Sequence, residues 1–166
     1  MTKALIIGIG NTLRGDDGVA SEILRRLESE HIDADCLTVH QLTVEMAHQI
    51  SEYDAVLFID ASVSLLVGHW RCVTLNRFHA GAESLSHDLS PNALVNLSEQ
   101  LYGTQTHAQI LSIGAENFGL TESISPEILN VLPMITDFVR AWPLTVSSST
   151  KQTHTEFESC YQTIHS

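Results

Sequence analysis

The chain has 166 residues, with 20 Asp and Glu against 8 Lys and Arg and a formal net charge of −12. That length suits one domain with a proper core, and the acidic balance argues against nonspecific binding to nucleic acid or to an anionic membrane surface. No apolar run approaches the ~20 residues that span a bilayer, and three scattered cysteines (Cys36, Cys72, Cys160) without a C-x-x-C pair support neither a disulfide framework nor a zinc knuckle, so a reducing cytoplasm is expected.

Residues 3–9 form a short apolar run closed by Gly10-Asn11, which reads as a buried strand and is too short for a signal-peptide core. Asp16-Asp17-Gly18 opens a helix on which Val19, Ala20, Ile23, Leu24 and Leu27 share one face. Residues 36–41 read as a second strand, and Thr43 as the cap of a short helix carrying Met46, Ala47 and Ile50. Residues 54–60 are the clearest buried strand, because a continuous apolar run suits a sheet covered on both faces. The next strand, about 69–75, follows after residues 61–68 alone. That gap is too short for the helical crossover a parallel neighbour needs, so the strand is expected to run antiparallel.

Ser90-Pro91 starts a further helix with Leu94, Leu97 and Leu101 on its expected buried face, and Gly103 stops it. Residues 107–113 give another strand, ended by Gly114. Ser125-Pro126-Glu127 opens the last helix, whose stripe is Ile128, Leu132, Ile135, Val139 and Trp142; Pro133 inside it is expected to kink or divide it. Beyond Pro143 the chain is rich in Ser and Thr without periodicity. The expected division is therefore one α/β domain over 1–142 and a flexible tail over 143–166. Alternating strand and helix patterns imply an open, mostly parallel sheet with helices on both faces. In such folds ligands bind beyond the carboxyl ends of the strands.

Three features could carry chemistry. The first is the loop Gly8-Ile-Gly-Asn-Thr-Leu-Arg-Gly-Asp-Asp-Gly18. It imitates a dinucleotide fingerprint, but the third glycine of G-x-G-x-x-G falls at Leu13, and Asp16-Asp17 at the helix start would repel a pyrophosphate. No G-K-[ST] follows. Taken singly, one Asp would cap the helix and the other be solvated; the pair at a strand's carboxyl end also fits a site. The second feature is Asp60, which ends the buried run Ala55–Ile59. Burial without a partner costs several kcal/mol or forces protonation, so it should meet a cation, a donor or solvent. The third is His87, three residues before the Ser90-Pro91 helix start, where an isolated histidine is ordinarily a surface residue. Strands one and three are commonly adjacent in doubly wound sheets, which would bring Asp60 beside the Asp16-Asp17 loop. Two carboxylates and an imidazole make a mixed O/N site for zinc or nickel, with positions left for water or substrate. His40-Gln41 and Glu116 end other strands and read first as surface residues, as do His31 and His48. Cys36 and Cys72 read as core residues, and His154 and His165 fall in the tail. No G-x-S-x-G or H-E-x-x-H motif is present.

The Gly8-x-Gly10-Asn11-x-Leu13-x-x-Asp16-Asp17-Gly18 loop, the strand ending in Asp60 and the histidine before a later helix resemble the hydrogenase maturation endopeptidases, over about residues 3–141. The resemblance implies a three-layer α/β/α sandwich around a five-stranded sheet with one antiparallel strand. It implies removal of a short C-terminal peptide from the nickel-loaded precursor of a [NiFe]-hydrogenase large subunit. It also implies metal ligation by Asp17, Asp60 and His87, with His79 near the last. Many members carry Glu where this chain has Asp17, and some carry Asp-Gly where it has His40-Gln41. On this reading nickel held by the precursor is recognised by the three ligands, other divalent metals such as zinc are expected to substitute, and Asp16 serves as base or as support for the site. The protein is expected to be a monomer. Activity should fall as His87 protonates below about pH 6.5. A non-catalytic nickel or precursor adaptor and a Rossmann-like nucleotide-binding domain are the alternative readings.

Overall fold

The computed structural model describes residues 2–75 and 89–149. Five strands form one sheet: β1 (Ala4–Ile9), β2 (Asp35–Val39), β3 (Ala55–Ser62), β4 (Trp70–Thr74) and β5 (His107–Gly114), in the order β2-β1-β3-β5-β4. All neighbours are parallel except β4, which runs antiparallel to β5. The short β3–β4 connection dictated this, since it leaves no room for a helix.

β1 and the Ala55–Ile59 part of β3 are apolar because both faces of the sheet are covered there. Ala4, Ile6, Leu57 and Ile59 pack with α1 (Val19–Leu27) and α4 (Pro126–Ser149). Leu5, Ile7, Val56 and Phe58 pack on the other face with α2 (Met46–Ser51) and α3 (Pro91–Tyr102). The result is the expected three-layer α/β/α sandwich. The stripes of α1 and α4 are those read from the sequence, with Ile128, Leu132, Ile135 and Val139 fully buried.

Several local expectations change. Met46 N–H donates to the Thr43 carbonyl, so Thr43 begins a turn and the helix starts after it instead of at a Thr43 cap. On α3 the cap and stop are as expected: Ser90 Oγ accepts from Ala93 N–H at 3.1 Å, and Gly103 is left-handed with φ 67°. The buried face, however, is Leu94, Val95 and Ser98, while Leu101 is exposed. Ser98 can be buried because its hydroxyl donates to the Ala47 carbonyl of α2 at 2.8 Å. Pro133 does not divide α4, which is continuous through both Pro133 and Pro143. Pro133 lies on the exposed side, where a carbonyl freed by the missing N–H can be hydrated. The helix also runs past the expected boundary at 142 to Ser149, because Val146 continues the buried stripe. Residues 150–166 lie outside the described residues.

Candidate active site at the carboxyl edge of the sheet

The loop after β1 is built around Asp17. Gly10 has φ 142°, and a Cβ there would lie 1.9 Å from the Asp17 carbonyl oxygen, so only glycine lets the chain fold back this closely. Asn11 N–H donates to Asp17 Oδ2 at 2.8 Å, and Asn11 Oδ1 accepts from Leu13 N–H at 2.9 Å. Gly10 N–H is held by the Val39 carbonyl at the end of β2. One oxygen of Asp17 is thereby fixed in direction, on a half-buried side chain.

Asp16 faces the other way. It is fully buried, and its carboxylate accepts four hydrogen bonds: from the amides of Glu116, Asn117 and Ser125 and from the Ser125 hydroxyl, at 2.7–3.1 Å. Burial alone would raise its pKa, but these donors together outweigh it and hold the carboxyl below the usual aspartate range. A saturated, inaccessible carboxylate of depressed pKa is a poor base. Asp16 ties the first loop to the β5–α4 loop, and of the two roles expected for it, base or support, this geometry favours support. Neither aspartate caps a helix: the turn Gly15–Gly18 and α1 both begin without a side-chain cap. Ser125, read from the sequence as a helix opener, supplies two of the four donors. Nothing local signals a pairing across 109 residues.

β1 pairs with β3 as far as Gly8 opposite Ile59, and β3 then continues against β5 alone. Asp60 is thus the first β3 residue beyond the matched part of β1, next to the Asp17 loop. By strand alternation it shares the face of Val56 and Phe58, the one covered by α2 and α3. Burial pushes its carboxyl up to about 6. The negative charge of Asp17 adds to the rise, and a hydrogen bond from the Ala61 backbone opposes it. A buried carboxylate raised by a neighbouring one at a strand edge marks a site whose deficit is positive charge.

Of the remaining candidates, His87 and His79 lie outside the described residues. Ser90, at the start of α3, is described; α3 ends beside the start of β5, so its Ser90 end is directed toward the carboxyl edge. Among the described residues no three His, Cys, Asp or Glu side chains form a complete metal-holding group. His40 and Gln41 are exposed just beyond β2, and Glu116 is exposed just beyond β5, so all three stand on the same edge as Asp17 and Asp60. His31 is exposed, and His48 lies on α2 with its ring against Tyr102, away from the edge. Cys72 is half-buried against the core, but Cys36 is exposed, because β2 is an edge strand with one side uncovered. His154, His165 and Cys160 lie outside the described residues.

The loop is a poor phosphate cradle. Amides of Gly10, Asn11, Leu13, Arg14, Gly15, Asp16 and Asp17 already donate to protein oxygens, whereas a dinucleotide loop must keep such groups free.

This five-stranded α/β/α sandwich is the fold found in solved hydrogenase maturation endopeptidases. Among solved structures, the chain is similar to the hydrogenase maturating endopeptidase HybD from E. coli, with a TM-score of 0.69 and 17% identity over 87% of this chain and 93% of that one. It is also similar to the [NiFe] hydrogenase maturation protease HycI from Thermococcus kodakarensis KOD1 (TM-score 0.68, 22% identity, 84% and 90% of the two chains). A third is the hydrogenase 2 maturation peptidase from Thaumarchaeota archaeon SCGC_AB-539-E09 (TM-score 0.63, 19% identity, 87% and 99%). No family model and no curated protein sequence matches the chain.

Proposed function

We propose that this protein is an endopeptidase of hydrogenase maturation, removing a short C-terminal peptide from the nickel-loaded precursor of a [NiFe]-hydrogenase large subunit. The observation that carries the reading is the Asp17–Asp60 pair, placed at the carboxyl edge of this fold with Asp60 raised to about 6. A divalent cation relieves both the burial cost and the mutual repulsion of the two carboxylates, so their donor set fits one. His87 is the third ligand in this reading, supported by the direction of α3 from Ser90. No membrane-length apolar helix is found among the described residues; the reading further takes the protein as a cytoplasmic monomer.

In this mechanism the nickel belongs to the substrate. Asp17 and Asp60 bind the cation that the precursor carries, and this registers the precursor's C-terminal segment against the edge of the sheet. Asp17 is held for that task by Asn11 N–H, and Asp60 by the rigid end of β3. A bound cation supplies Lewis-acid polarisation of the scissile carbonyl or of the attacking water. Ligation needs the ionised carboxylate, so binding should weaken as pH falls through about 6 and Asp60 takes up its proton.

The test is the intact mass of nickel-loaded and nickel-free precursor after incubation with the protein. Loss of a short C-terminal peptide from the loaded sample alone establishes both the peptidase and its metal check. Binding without any change of mass would make the protein an adaptor.

A further inference from the structure

Half-exposed to fully exposed large apolar side chains gather at the same edge as the carboxylates. Leu13 stands on the loop after β1, Val44 after β2, Val63 and Leu66 after β3, and Leu120 after β5. Val63 is 80% and Leu120 94% exposed. Such side chains are unremarkable one at a time; clustered at one end around a polar centre they mark an interaction surface.

Their backbones are held in place. Leu13 N–H is bound by Asn11 Oδ1, and its carbonyl accepts from Thr121 N–H, which sets Leu120 beside it. Arg14 and Thr121 form a parallel bridge. Val63 sits between Ser62 and Ser64, whose hydroxyls bond each other at 2.7 Å. The Leu66 carbonyl lies where a Cβ on Gly114 would come within 1.9 Å, and it accepts from His69 N–H. Val44 is in a turn whose carbonyl accepts from Ala47 N–H. Fixed backbones carrying exposed apolar tips bind with little ordering cost.

The geometry points to a preorganised apolar collar around Asp17 and Asp60 that docks the folded body of the precursor, separately from recognition of the peptide to be cut. The occupant follows from charge. The described residues of these four loops carry Glu45, Glu116 and Glu122 around the aspartates, with Arg14 as their one Lys or Arg. The complementary surface is an apolar protein face surrounding a cationic centre, which a folded precursor with bound nickel presents. The identity of the occupant rests on the proposed function; the collar itself rests on the exposed side chains and their hydrogen-bonded loops.

The test uses the full chain with Leu13→Ser, Val63→Ser and Leu120→Ser combined, and Leu101→Ser as control. Leu101 is likewise apolar and exposed but stands at the end of α3, at the opposite edge of the sheet. Kd for nickel-loaded precursor and the KM and kcat of its cleavage are measured alongside circular dichroism. The triple variant should fold normally and raise Kd and KM by ~10-fold or more, well beyond any fall in kcat, with the control like wild type. Unchanged Kd and KM, with wild type cleaving, would overturn the collar and leave the peptidase reading intact. Binding by wild type without cleavage, lost in the triple variant, would do the reverse. Wild type that neither binds nor cleaves would sink both. A wild-type dimer that the triple variant splits at unchanged KM would reassign the surface to self-association and overturn the proposal.

Discussion

Asp17 and Asp60 lie 43 positions apart in the sequence, yet the charge of one alters the titration of the other. Burial and the neighbouring Asp17 carboxylate together raise Asp60 from the ordinary 3.8 to about 6. The coupling arises because β1 and β3 are adjacent and parallel, so their carboxyl ends deliver both residues to one edge.

Asp60→Asn should trade activity for stability. The folded-state pKa lies above the unfolded one, so the stability associated with the protonated group is fully present below about pH 4 and is lost as pH rises to about 6. In metal-free protein at pH 7.5 the substitution should therefore stabilise by about 1–2 kcal/mol after allowing for partial solvent screening. At pH 4 it should do nearly nothing. Thermal melts at the two pH values read this directly; equal melting temperatures for wild type and variant at pH 7.5 would contradict it. Precursor cleavage should drop by ~100-fold or more.

Asp16 should behave oppositely. Its depressed pKa adds stability above the unfolded value, which disappears as pH falls through the folded one, below about pH 4. Asp16→Ala strands the amides of Glu116, Asn117 and Ser125 in a buried site and should cost about 3–5 kcal/mol in urea denaturation at pH 7. A loss below 1 kcal/mol would mean that the tie between the two loops is replaceable.

Gly10→Ala places a methyl group 1.9 Å from the Asp17 carbonyl oxygen at a φ of 142°. The loop must move, and Asp17 with it. Cleavage should fall by more than the loss of stability explains, since a ~1 Å displacement of a site residue costs ~100-fold. The check is activity at a temperature where both proteins are fully folded by circular dichroism.

The third ligand is decided by comparing His87→Ala with His79→Ala. Isothermal titration with nickel and with zinc, together with precursor cleavage, should show loss in the first and near wild-type behaviour in the second. The converse result would move the ligand to His79; loss in neither would leave the carboxylates without a histidine partner.

Much of the fold is readable because local chemistry is decisive. The unbroken apolar runs of β1 and β3 demand a sheet covered on both faces, and the short 61–68 connection forbids a parallel neighbour. The misreadings are also local. Ser98 looks polar and Leu101 apolar, but a hydrogen bond to the Ala47 carbonyl buries the first, and the end of α3 leaves the second in solvent. Val146 extends α4 past Pro143, where composition alone suggests a tail.

The sequence by itself determined the α/β order, the antiparallel fourth strand, and the residue types of an acidic site at the ends of the first and third strands. Periodicity, turn chemistry and connection length act over a few residues and are written in the chain. Tertiary structure alone decided how each aspartate is placed. Asp16 and Asp17 are neighbours of identical chemistry. One turns inward to four donors from residues 116–125, and the other lies close enough to Asp60 for its charge to raise the Asp60 carboxyl. That choice depends on groups about a hundred residues away, whose positions exist only once the sheet has assembled.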